Sequence, residues 1–547
     1  MAKAKKNDAV EINKWLGRIK HAEKVRDEAD KKFGYSRALL QYQNDFQSAM
    51  PSTMADVDIV PINEVYAYVK TFVPSVYSRD PYITVNPKGH RSIAGAKITE
   101  LMVNASWRDL RIKREVKRCI VDGILAEGWI KLGFTSVFGS IESPDGKPDL
   151  EVNQFIRDEE IFCTRVSWRN MVRDPDAIDG LTDARFVAQQ IIRPLEAFRS
   201  SSLYDNTEDM KPAFIVKRGE DKPNRNSYAA VGDDDIEYGC AWEIWDRDME
   251  RVYTISEGCD KYLANKDWPY EFEGYPFGLL RFNDNPDETY APNLIGPWEP
   301  QLWEKIKIRA MQLDHLKRFN RQLSVEDGAM TNAEMQKLTL GKTGSITKRK
   351  KGYSAPEPIT YPPFQADVYA IENKIDLDKD NISGQPNAVR SAPQRTQSRT
   401  LGEVDRLISS FGARQAEPQD VIEDFCEDIA YKVIGLTAQF MDGDKYVRPT
   451  QKDIEEIKQA LVNPKTGLSR YDGVGFSFSK EEIQDVEYEV EVKSGSTLPM
   501  DRENRLQTLS TLLKLGPTLG VQPGGLVARA LGKSLISEFE LKEVEAA

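Results

Sequence analysis

Two amphipathic stretches of opposite charge, separated by a short insert, constrain this chain more than any other feature. In the first, Leu302, Ile306, Ala310, Leu313, Leu316 and Leu323 recur at intervals of four, four, three, three and seven. That spacing predicts one helix of about two dozen residues, roughly 35 Å long at the α-helical rise. Its polar side is basic, with Lys305, Lys307, Arg309, Lys317, Arg318 and Arg321 against Glu299, Glu304 and Asp314. In the second, Phe364, Val368, Ile371, Ile375 and Ile382 share a face, and Asp367, Glu372, Asp376, Asp378 and Asp380 outnumber Lys374 and Lys379. Such helices can form an ordinary antiparallel hairpin inside one domain, or fit against further copies of themselves. Periodicity leaves both arrangements open.

The rest of the chain sets the scale. Its 547 residues, 40% of them hydrophobic, imply about three or four domains with real cores. Lys and Arg number 75 against 87 Asp and Glu, a net charge of −12 that disfavours a tight nucleic-acid binder. The longest stretch free of charge, Leu515 to Ala528, is broken by Pro517, Gly520, Pro523, Gly524 and Gly525, so no membrane-spanning helix is expected. The basic start, Met1 to Lys6, has no apolar segment behind it, as a secretory signal would, and a cytosolic setting is expected.

Chemistry-bearing motifs are sparse. Cys119, Cys163, Cys240, Cys259 and Cys426 are odd in number and widely spread, which reads as reduced core thiols rather than disulfides or a zinc site. His21, His90 and His315 are equally isolated. Gly341-Lys342-Thr343 lacks the glycine a phosphate loop needs five residues before its second glycine; Gln336 stands there. Asp174 to Gly180 resembles a calcium loop, but Ile178 and Arg185 occupy positions that need oxygen ligands, so a turn between strands is expected. Neither a Gly-x-Ser-x-Gly elbow nor a His-Glu-x-x-His pair occurs. The reading is a non-enzyme without cofactor or metal.

Organisation follows from periodicity. Helices are expected from Ala9 to Phe33, Ile62 to Tyr77, Ile93 to Leu110 and Ile112 to Ala126, with a strand at Tyr82 to Val85. Short aromatic and β-branched runs follow at Trp129 to Phe138, Ile161 to Val166, Arg185 to Ile192, Cys240 to Asp246 and Arg251 to Ser256, the last two reading as a hairpin. The fold class is therefore α+β with a mainly antiparallel sheet. A strand at Val486 to Val492 cannot stand alone and should join the earlier sheet, making the core domain discontinuous. Helices are expected from Met500 to the end.

Two loops stand out by charge. The insert Ser324 to Pro363 contains a short helix opening at Asn332, then Lys348, Arg349, Lys350 and Lys351, a basic run that fits a solvated loop, an acidic partner or a nucleic-acid backbone. Ser383 to Gln397 is polar and carries Arg390 and Arg395, and no acidic residue occurs between Asp380 and Glu403. Thr400-Leu401-Gly402-Glu403 then forms a capping box, opening a helix that continues through Pro418.

The order of these parts resembles the portal proteins of tailed bacteriophages. The features that carry the resemblance are Val73-Pro74-Ser75-Val76-Tyr77 with Asp80-Pro81, the basic run Lys317 to Leu323, Ile382-Ser383-Gly384, the box at Thr400 to Glu403 and the turn Gly495 to Pro499. Where such proteins often read Thr-Ala-x-Glu, this chain has Thr400-Leu401-Gly402-Glu403. The resemblance implies a ring subunit at one capsid vertex of the virion, assembled in the host cytoplasm, through which DNA is packaged and ejected. It divides the chain into N-terminal helices and an antiparallel-sheet wing (1–298), a first stem helix (299–323), a clip (324–363) and a second stem helix (364–382). A tunnel loop (383–397), a kinked helix with a return to the wing (398–499) and a helical C-terminal crown (500–547) complete it.

It further implies a homo-oligomeric ring of about twelve copies. The implied partners are viral double-stranded DNA in the channel, the terminase large subunit, a head–tail adaptor and the major capsid or scaffolding protein, with no membrane. Gln385, Asn387, Arg390, Gln394 and Arg395 would touch DNA from the loop, and Lys348 to Lys351 would face the clip's partner. Competing expectations are another vertex component such as an adaptor or scaffold, and a packaging-motor enzyme.

Overall fold

A computed structural model describes residues 2–52, 59–88, 93–140, 154–201, 203–216, 236–319, 323–340, 346–359, 366–385, 401–440, 445–447, 476–478, 480, 483 and 488–493. Its helices are α1 (Ala2–Phe33), α2 (Tyr35–Tyr42), α3 (Phe46–Ala49), α4 (Glu64–Val76), α5 (Ile93–Asp109) and α6 (Ile112–Leu125). They continue with α7 (Leu195–Arg199), α8 (Glu299–Phe319), α9 (Asn332–Leu340), α10 (Ala366–Ser383) and α11 (Leu401–Phe440). The chain is α+β, and every strand pairing among the described residues is antiparallel.

Two sheets carry the β-rich part. One has three strands, with Gly128–Ser140 between Phe277–Leu280 and Gln154–Val166. The other has six, running Met171–Arg173, Phe186–Pro194, Ile236–Asp246, Arg251–Ser256 and Ala264–Asp267, with Phe214–Val216 also on Ile236–Asp246. The expected hairpin is present in register, Trp242 opposite Ile255 and Trp245 opposite Val252. Helix α1 lies on the six-stranded sheet because Ile12, Trp15, Ile19 and Ala22 fall on one face and are buried. Trp15 meets Phe186 edge-on at 5.5 Å and Tyr253 at 5.9 Å between ring centroids.

The strand Tyr488–Val492 pairs with Ile83–Pro87, Ile83 opposite Val492, so the first hundred residues and the C-terminal region share one unit. Sequence reasoning put this strand on the earlier sheet. It instead makes a separate two-stranded ladder with the strand after α4, covered by α5 and α11, so neither large sheet is extended.

The largest core cluster lies between α4, α5, α6, the start of α8 and the second half of α11. Val65, Val69, Phe72 and Val76 of α4 meet Ile422, Phe425, Ile429 and Val433 of α11 in it. Helix α11 runs without a break through Pro418, which sits inside it. Its close approach to the three-stranded sheet and to the segment before it needs small residues: a Cβ on Gly278 of the sheet would stand 2.9 Å from Phe425, and one on Gly435 of the helix 2.9 Å from Phe272 in that segment.

Candidate functional site

The foot of α8 is fixed by a carboxylate. Buried Glu299 accepts from Arg37 through two nitrogens, Nε at 3.1 Å and Nη2 at 3.0 Å, from Gln41 Nε2 at 2.9 Å and from Trp303 Nε1 at 3.2 Å. Leu302, Trp303, Ile306 and Ala310 then pass into the core.

Helix α10 runs back along α8. Lys305 reaches Asp376 at 2.6 Å and Gln312 reaches Glu372 at 3.4 Å, so advancing along one helix retreats along the other. The expected attraction between a basic and an acidic helix is therefore in place. Its centre is a ring of four charges that also includes α4. Lys305 Nζ lies 3.0 Å from Glu64, Lys379 Nζ lies 2.9 Å from Asp376, and Lys379 also contacts Glu64. Lys379 is only 2% exposed. Burial opposes ionisation of Glu64, but the hydrogen bond and charge of Lys379, then Lys305, outweigh it and hold the carboxyl below its ordinary range. Asp376 is held low by the same two lysines against its own burial.

The expected apolar stripes are only partly buried. Beyond Ala310, Met311 is 57% and Leu316 53% exposed, and the described helix ends at Phe319. Leu323, expected on that helix, instead pairs with Pro358 in a two-residue bridge. On α10, Ile375 is buried whereas Ile371, Leu377 and Ile382 are exposed; Phe364 lies outside the described residues.

The insert carries α9 and then the basic run. Its backbone is pinned, with Lys348 N–H donating to Glu334 at 3.0 Å and Lys350 N–H to the Ala329 carbonyl at 3.0 Å. Arg349 donates to the Tyr353 carbonyl at 3.2 Å, and Lys348, Arg349, Lys350 and Lys351 are all exposed.

After α10, Gly384 adopts a left-handed φ of 69°, and its N–H donates to the Asp380 carbonyl at 3.1 Å. Arg414 of α11 donates to the Asn381 carbonyl at 2.7 Å and lies against Gly384. Gln385, expected to face a channel, is instead fully buried, and among the described residues neither atom of its side-chain amide has a hydrogen-bond partner. The turn at Gly384, with Arg414 beside it, brings the chain back against α11 rather than out into solvent. Asn387, Arg390, Gln394 and Arg395 lie outside the described residues, as do Thr400, the stretch 500–547 and Gly341-Lys342-Thr343.

Elsewhere the candidate motifs have structural partners. Asp174 receives Arg185 Nη2 at 3.0 Å, and Asp176 receives the same guanidinium at 2.5 Å, closing the turn between strands. All five cysteines are free; burial pushes the Cys163 thiol up to about 12 and Cys240 to about 11. Among the described residues no three His, Cys, Asp or Glu side chains are placed to hold a metal ion, and no helix is long and apolar enough to cross a membrane. Sequence reasoning missed the four-charge ring. The available signal was Lys379, which stands one turn after Ile375 on the inward face of an otherwise acidic helix.

No family model matches the chain, and no curated protein matches it.

Proposed function

We propose that this chain is the subunit of a portal-type ring, a DNA conduit at one vertex of a phage capsid that docks a packaging motor and then a head–tail adaptor. Helices α8 and α10 serve as its stem, the insert between them as its clip, and the α+β region as its wing. The observation that supports this reading best is the distribution of uncovered apolar surface. Of 21 exposed large apolar side chains among the described residues, 12 fall between Met311 and Ile382. A concentration of that kind marks a contact surface. Helix faces that are apolar, oppositely charged and uncovered within one chain suit repeated contact with neighbouring copies.

The charge balance fits a conduit. Each phosphate neutralised by Lys or Arg releases counterions and adds affinity, so a channel that must let DNA pass should carry few such contacts. Arg390 and Arg395, with Asn387 and Gln394, supply sparse and sequence-independent backbone contacts from an acidic protein. Gln385, being buried, is not among them. The exposed run Lys348 to Lys351 offers the clip's partner a basic face.

The interface is tested by a double variant, Leu316→Lys with Leu377→Lys, which places like charges on the exposed stem. The purified variant should retain the helical content and thermal transition of the native subunit yet sediment as a monomer. An intact assembly in this variant would refute the stem as the contact surface.

A further inference from the structure

Helix α10 is seated on the body by very little apolar surface. Of its described side chains only Ile375 and Lys379 are buried, and Lys379 is a charge. The C-terminal half is tied by the ring in which Lys379 and Asp376 of α10 meet Glu64 of α4 and Lys305 of α8, and at its end by Arg414 of α11 donating to the Asn381 carbonyl at 2.7 Å. Of the other charges of this half, Asp378 and Lys374 are exposed and Asp380 is half-buried. Buried ion clusters depend strongly on every member, because removing one leaves its partner as an uncompensated charge out of water.

One turn further on, an opposing contribution appears. Gln385 is fully buried, and among the described residues neither its amide oxygen nor its amide nitrogen has a hydrogen-bond partner. Such groups lose their water and gain nothing in exchange, so the seated state carries a penalty that would vanish if this segment lifted into solvent. Gly384, at φ 69°, gives the backbone a pivot between the helix and this residue.

We propose that the segment from Ile375 to Gln385 is a two-state element, seated by the Glu64–Lys305–Asp376–Lys379 ring and biased towards release by the unpaired amide of Gln385. The two groups act in opposite directions on one local equilibrium. This is distinct from global stability, because the surrounding α4 and α11 are anchored independently by their shared apolar core. The device concerns the fold of the single subunit and stands whether or not the chain forms a ring.

Hydrogen exchange of the full-length protein, read at the amides of 376–385 and compared with those of α4 and α11, tests it. Glu64→Gln should accelerate exchange in 376–385 by about tenfold or more while α4 and the buried part of α11 are unchanged. Gln385→Leu, which removes the unpaired amide and keeps an apolar side chain of similar size, should slow exchange in the same segment several-fold. Unchanged exchange at 376–385 in Glu64→Gln, or acceleration spread equally over α4 and α11, would overturn the proposal. Unchanged or faster exchange in Gln385→Leu would do so independently, even if the Glu64 variant failed to fold.

Discussion

Buried charge in this molecule is placed with its partner, and the clearest case is Arg173 with Glu127. Arg173 is almost fully buried, and its two terminal nitrogens each lie 2.7 Å from a Glu127 oxygen. Its guanidinium carbon also sits 4.4 Å from the ring centroid of Tyr290 and 5.8 Å from that of Trp129. Removing one member of such a pair strands the other, at a cost of about 3–5 kcal/mol, whereas replacing both by apolar groups costs far less. Arg173→Met or Glu127→Leu alone should therefore lower the unfolding free energy in denaturant titration by that amount. The double variant should recover most of the loss; additive losses would show that the pair is not the unit. At this scale sequence reasoning was weakest. Arg173 lies 46 residues from Glu127, and Lys379 lies 315 residues from Glu64, pairings that no local pattern reveals. Asp174 was legible as part of a turn, because its role with Arg185 is local.

At the scale of elements, the sequence was far more legible, because helices and strands announce themselves through spacing. The spacing of Ile12, Trp15 and Ile19 matches the buried face of α1 and that of Val65, Val69, Phe72 and Val76 the buried face of α4, and the hairpin of Trp242 to Trp245 with Val252 to Ile255 was legible as a hairpin, though not its register. The pairing of Tyr488–Val492 was legible only as a need for some partner strand; which one it takes depends on how α5 and α11 cover that edge. Close approaches between elements were invisible, since a glycine in a strand gives no hint of what crosses it. Gly278 makes this concrete. A methyl group there would meet the Phe425 ring at 2.9 Å, and Lys432 of the same helix donates to the neighbouring Phe277 carbonyl at 2.7 Å. Gly278→Ala should displace α11 from the three-stranded sheet and lower stability by about 1–3 kcal/mol, the range for overpacking a close contact. A calorimetric transition unchanged from the native protein would show that the helix has room to yield.

For the whole molecule, the defining property is that the pair α8 and α10 is well tied at one end and uncovered at the other. Glu299 and the four-charge ring fix the foot, while Met311, Leu316, Tyr369 and Ile371, farther along, are left exposed. The opposite charges of these helices were readable from sequence, and so was the possibility of contact between copies. The extent of burial was not, because a stripe at helical spacing looks the same whether its own chain or a neighbour covers it. The acidic total of −12 likewise conceals local basic runs at Lys348 to Lys351 and in the segment before Glu403. The measurement that bears most directly on the ring is the native mass of the purified assembly, taken together with its projection image. A closed assembly of about twelve 62.1 kDa chains with an axial hole is expected. A folded protein that remains monomeric or dimeric, or an assembly with no axial opening, would contradict it.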